Sequence, residues 1–109
     1  NFIWRAEGAL GVSVSPLSDQ LATYFGVKAG VLVAEVREGS AAAAAGFKAG
    51  DVVTAFNGSE VSDPGDLRQR TSRLEDGAEF TAAVVRDRKP LTLKGKVQRR
   101  TSARERTRV

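Results

Sequence analysis

Hydrophobic and polar positions are most clearly ordered between Gly30 and Gly58. Val31 to Val36, VLVAEV, is an unbroken aliphatic run of strand length, and Arg37-Glu38-Gly39 closes it, so the spacing predicts a buried strand followed by a turn. Ser40 then stands where an N-cap accepts a hydrogen bond from the first free amides of a helix. Ala41 to Ala45 are strong helix formers and Gly46 takes the C′ position. A helix of less than two turns is not stable by itself, so these alanines are expected to lie flat against a core with no room for larger side chains. Phe47 follows as an anchor, Ala49-Gly50-Asp51 as a tight turn, Val52 to Phe56 as a second strand, and Asn57-Gly58 as a hairpin signal.

The flanks carry weaker patterns. Leu10, Val12 and Val14 alternate with Gly11 and Ser13, the period of a strand with one apolar face; on these residues alone it is a strand with a Gly bulge. Ahead of it, Asn1 to Gly8 contains Phe2-Ile3-Trp4, which is either a short strand or packed arm, or a linker. Pro16 to Gly26 predicts a short helix or turn with Ser18 as N-cap, Leu21 and Phe25 at i and i+4, and Gly26 at C′. After the hairpin, Asp63 as N-cap and Pro64 at N1 open a helix expected from about Gly65 to Leu74, with Leu67, Thr71 and Leu74 on one face and Asp66 and Arg70 beside it. Two further strands are expected over Ala78 to Val85 and Leu91 to Val97, joined by the charged turn Arg86 to Pro90. Along the last strand Leu91, Leu93 and Val97 point one way and Thr92, Lys94 and Lys96 the other.

The order strand, mini-helix, strand, hairpin resembles the PDZ domain, and Gly39, Ser40, Ala42, Ala45, Gly46, Phe47, Gly50, Asp51, Asn57 and Gly58 carry the resemblance. Leu21, Ala22, Phe25, Gly26 and Val27 are similar to the connector of PDZ domains in bacterial HtrA/Deg-type serine proteases. The resemblance implies an α+β, mostly β, fold: a partly open barrel or sandwich of five to six strands capped by two helices, over residues 9–97. Residues 1–8 are then an arm or linker and 98–109 a basic flexible tail. It also implies a peptide-binding site made of Ala9, Leu10, Gly11, Val12, Ser13 and Val14 on one side and Leu67, Arg70, Thr71 and Leu74 on the helix opposite. An extended peptide would lie antiparallel to the Val12 to Val14 strand and present its free carboxylate to the amides of Leu10, Gly11 and Val12. Its last side chain would enter a cup of Leu10, Val12 and Leu74. Ala9 departs from the aromatic residue usual at that position. For Arg70, Arg73 and Leu74, plain solvated or core roles stand beside groove contact. Gly11→Val is expected to block convergence of the loop amides while leaving the fold intact. Family members that select Ser or Thr two residues before the ligand's end use a His on the second helix; with none here, an apolar last residue and no Ser/Thr requirement are expected.

Composition narrows the chemistry. A chain of 109 residues without His or Cys has no Ser-His-Asp triad, no thiolate or imidazole metal ligand and no disulfide frame, and no P-loop or dinucleotide fingerprint occurs. Neither enzymatic activity, nor a metal, nor any other cofactor is expected of the chain alone. It does not begin with Met and reads as a segment excised from a larger protein, by resemblance an extracytoplasmic, periplasmic serine protease. No stretch is long and apolar enough to span a bilayer. The net charge of +4 is uneven: residues 94–109 carry seven basic side chains against Glu105, a net +6, and residues 1–93 carry −2. The folded part therefore has no nucleic-acid footprint. The expected partners are polypeptide C-termini or unfolded segments. The alternatives are an internal surface of the parent protein, nucleic acid held by the arginine-rich tail, and the tail itself, whose apolar Val109 makes it a ligand candidate for its own or a neighbour's groove.

Overall fold

The computed structural model of the chain describes residues 4–6, 10–75 and 77–97. Ala9 and the tail lie outside them. The described elements are, in chain order, β1 (Trp4–Ala6), β2 (Val12–Pro16), α1 (Asp19–Phe25), β3 (Val31–Val36), α2 (Ala41–Ala45), β4 (Val52–Phe56), β5 (Ser59–Glu60), α3 (Pro64–Ser72), β6 (Glu79–Arg86) and β7 (Lys89–Lys96). All strand pairs are antiparallel in one sheet of order β1-β2-β3-β4-β6-β7, with the two-residue β5 paired to β4. This is the mostly β, α+β fold expected, with the connector α1 as a third helix.

Local chemistry sets the helix starts. Ser18, Ser40 and Asp63 are extended N-caps whose side-chain oxygens accept from the amides of Leu21, Ala43 and Asp66. The ends were less legible. α3 stops at Ser72, two residues short of the expectation, because Arg73 caps it and the Leu74 amide closes a tighter turn onto the Thr71 carbonyl. On α1 the core contact falls on Ala22, which is buried, while Leu21 is 40% exposed and Tyr24 69%. A small side chain lets so short a helix sit close to the core, and the flanking connections decide which stripe faces inward. The β6–β7 connection is also shorter than the five-residue turn expected: pairing runs to Arg86↔Lys89, and only Asp87 and Arg88 turn, at φ 54° and 64°. Two left-handed residues match the twist of the flanking strands.

Phe56 and Phe80 stack at 5.4 Å in the core, with Phe47 at 6.4 Å from Phe80. Val31, Val33, Val53, Ala82 and Val84 surround them, all buried. α2 lies on β7, and a Cβ at Gly95 would come within 2.9 Å of both the Ala45 Cβ and the Phe80 ring. That spacing requires a small side chain at Ala45, and Ala41 and Ala42 are buried, whereas Ala43 and Ala44 are exposed, so only one stripe of α2 lies against the core. Asp51, 1% exposed, ties the far side of the sheet together: its carboxylate receives Arg86 through Nε and a terminal nitrogen, both at 2.8 Å, and the Lys48 amide at 2.9 Å. Arg86 donates further to the Gly46 carbonyl at 2.7 Å. The hydrogen bond to Asp51 raises the Arg86 pKa above its ordinary value, against the opposing effect of burial.

Candidate functional site

The Leu10–Gly11 corner is fastened from behind. The Leu10 carbonyl accepts from the Ala42 amide in α2 at 2.9 Å, and the Gly11 carbonyl from the Arg37 amide just beyond β3 at 2.9 Å. Because each carbonyl shares a planar trans peptide with the following amide, the N–H groups of Gly11 and Val12 point the opposite way, out of that corner. Gly11 has φ +82°, a conformation that costs a side-chain-bearing residue about 1–2 kcal/mol. A Cβ there would also lie 2.5 Å from the Ser40 Cβ. The expectation that Gly11→Val leaves the fold intact is therefore corrected: the residue is wedged against the N-cap of α2 and is structural as well as a loop former.

Val12 and Val14 are buried and face the core, and Ser13 between them is half-buried on the other face. β2 has a bulge opposite β3 between Ser13 and Val14. On α3, Leu67 and Thr71 are buried, and Leu74, beyond the helix end, packs half-buried against the same core cluster that contains Leu10, Val12 and Val14. Arg70 donates from one terminal nitrogen to the Glu60 carbonyl of β5 at 2.8 Å, which fastens α3 to the β4–β5 hairpin, while its buried Nε has no hydrogen-bond partner among the described residues. α3 stands beside both β2 and β1.

The outer edge of β2 is paired. β1 runs along it in the register Trp4↔Val14, Arg5↔Ser13, Ala6↔Val12. Since Gly11 turns its carbonyl to the β3 side, Val12 turns its N–H and C=O to the β1 side, so Ala6↔Val12 is a hydrogen-bonding pair by the alternation of an antiparallel ladder. The alternation of apolar and polar residues in β2 revealed nothing of this neighbour. An apolar Phe2-Ile3-Trp4 run ending seven residues short of a strand, with Gly8 between, was the available hairpin signal.

A second concavity of about 660 Å³ shares no residue with β2 or α3; Tyr24, Lys48, Asp51, Arg86 and Arg88 are among its lining residues. Its charged groups are largely engaged, Arg86 by Asp51 and Arg88 by the Tyr24 carbonyl at 2.6 Å. Among the described residues no cluster of acidic side chains could hold a metal ion.

The family model for the PDZ domain matches residues 8–97. The chain belongs to the PDZ family. Curated relatives of this PDZ domain are bacterial serine proteases. It is 35% identical over 99 residues to the periplasmic pH-dependent serine endoprotease DegQ of Escherichia coli (strain K12), covering 89% of this chain and 22% of the relative. It is 39% identical over 90 residues to a probable periplasmic DegP-like serine endoprotease of Rhizobium meliloti (strain 1021), covering 81% and 18%. The chain thus spans about a fifth of the length of these proteases. Among solved structures, the HtrA-type protease AlgW with decapeptide superposes with TM-score 0.75 at 32% identity, over 85% of this chain and 29% of that one. The HtrA3 PDZ domain bound to a phage-derived ligand, FGRWV, has TM-score 0.71 at 20% identity, over 82% and 83%, a likeness of fold. By itself the PDZ domain is a non-catalytic module, and in the protease relatives the catalytic domain lies outside the matched fifth. No described helix is long and apolar enough to cross a membrane.

Proposed function

We propose that this PDZ domain binds the C-terminal or extended apolar segments of other polypeptides by β-augmentation, as the regulatory or substrate-recognition module of an HtrA/Deg-like serine protease outside the cytoplasm. The observation that carries the reading is that β2 offers its outer edge to an antiparallel strand alongside α3, as its pairing with β1 demonstrates for the chain's own backbone. The names of the relatives, periplasmic endoproteases, support the setting. Leu10, Gly11, Val12, Ser13 and Val14 form the edge and the carboxylate loop, with Ala9, outside the described residues, next to them in sequence; Leu67, Thr71 and Leu74 form the facing wall. Arg70 supports that wall through β5. The peptide planes that carry the Gly11 and Val12 amides are fixed by the anchored carbonyls behind them, so a terminal carboxylate meets donors whose directions are already set once Val12 is free of β1.

A groove of this kind implies affinities around micromolar, about −8 kcal/mol. Calorimetry with a panel of decapeptides ending in Val, Leu, Ile, Phe or Ala tests it. Converting the ligand's free carboxylate to an amide should weaken binding about tenfold, near 1.4 kcal/mol. Equal affinity for acid and amide would remove the carboxylate loop from the reading. Replacing the residue two before the ligand's end by Ser or Thr should confer no systematic gain.

A further inference from the structure

We propose that β1 is an internal competitor for this groove: Trp4–Ala6 holds the β2 edge that an incoming peptide requires, and a ligand binds as β1 leaves. The inference rests on the function proposed above. Three observations converge on it. β1 pairs with β2 on the edge opposite β3, so β2 has no second free edge. β1 also stands next to α3, where the other wall of the groove lies. Finally, β1 is antiparallel to β2 with Ala6 opposite Val12, the sense required of a ligand whose last residue meets the Gly11 and Val12 amides.

The physics of the competition is intramolecular. Five residues separate Ala6 from Val12, a tether that keeps β1 at a high local concentration beside its edge. Only three residues pair, so the strand is short enough to be displaced. If the groove is open in a fraction f of molecules, the apparent dissociation constant of any ligand is the intrinsic one divided by f. Ligand binding and release of β1 are then a single linked equilibrium, and whatever holds residues 1–6 elsewhere raises affinity at the groove.

Two variants of the full chain test this, Ala6→Pro and removal of residues 1–6. Proline at residue 6 deletes the amide that faces Val12 and so breaks the ladder without touching β2 or α3. The two readouts are hydrogen exchange of the Val12 and Val14 amides by NMR, and calorimetry with the decapeptide panel; unchanged β6 and β7 resonances report that the fold persists. The expected result is exchange at least tenfold faster at Val12 and Val14 in both variants, and peptide binding at least threefold tighter than in the parent. Unchanged exchange would show that β1 does not cover the edge, and faster exchange with unchanged affinity that it does not compete; either overturns the proposal. Faster exchange with no binding by parent or variants, for any of the peptides, would instead defeat the peptide-binding reading and the competitor role with it, leaving β1 as a covering strand.

Discussion

At Gly11 two constraints meet, a left-handed backbone and a 2.5 Å approach of the missing Cβ to Ser40. Gly11→Ala should therefore cost about 2–5 kcal/mol in urea unfolding, the sum of positive-φ strain and overpacking. In a Ser40→Gly background, where the opposing Cβ is gone and the cap loses only a few tenths of a kcal/mol, the cost should fall to about 1–2 kcal/mol. An equal cost in both backgrounds would mean that the contact is irrelevant and only the φ angle counts. Asp51 is the second decisive residue. Arg86→Ala should destabilise by about 3 kcal/mol, because it leaves a carboxylate that is 1% exposed without its charge partner; the figure is at the low end for buried pairs because Arg86 remains 28% exposed. Since the folded Arg86 has a raised pKa, its stabilising contribution is fully present below the ordinary arginine value and lost only as pH rises through the still higher folded value. Stability from pH 6 to 10 should show no loss from this pair. Gly50-Asp51 was readable as a turn; its pairing with a residue 35 positions away was not, since no local pattern encodes an ion pair across strands.

Among the elements, α2 shows how a segment too short to be a stable helix exists only because of its neighbours. Its cap, alanines and terminal glycine were legible as a unit because capping chemistry is local. That it lies on β7 was not, because Gly95, 50 residues beyond Ala45, supplies the space. Gly95→Ala should push α2 from the sheet or rotate Phe80, at about 1–3 kcal/mol, seen as a lower urea midpoint with unchanged slope. A neutral effect would show that α2 has slack against β7. The same reasoning accounts for α1, whose Ser18 and Gly26 ends were predicted from local chemistry while its buried residue, Ala22, was selected by tertiary placement.

For the whole molecule, the groove is a property of topology. β2 and α3 come from opposite halves of the chain, and β1 takes the position beside both. Holding β1 away should increase peptide affinity, whereas Arg70→Ala should loosen α3 from β5 and lower stability by about 0.5–1.5 kcal/mol, with any loss of peptide affinity following from that loosening. Affinity lost without any fall in the unfolding midpoint would place Arg70 in direct ligand contact. The sequence by itself determined β2, β3, β4, β6 and β7, the helices α2 and α3, the three N-caps, the Asn57-Gly58 turn and the family, because periodicity, capping and turn chemistry act over a few residues; it left β1 and α1 open and did not announce β5. Only the tertiary structure decided that Gly11 is wedged on Ser40, that Asp51 belongs to Arg86, and that the β2 edge is already occupied, because each depends on backbone brought together from separate parts of the chain.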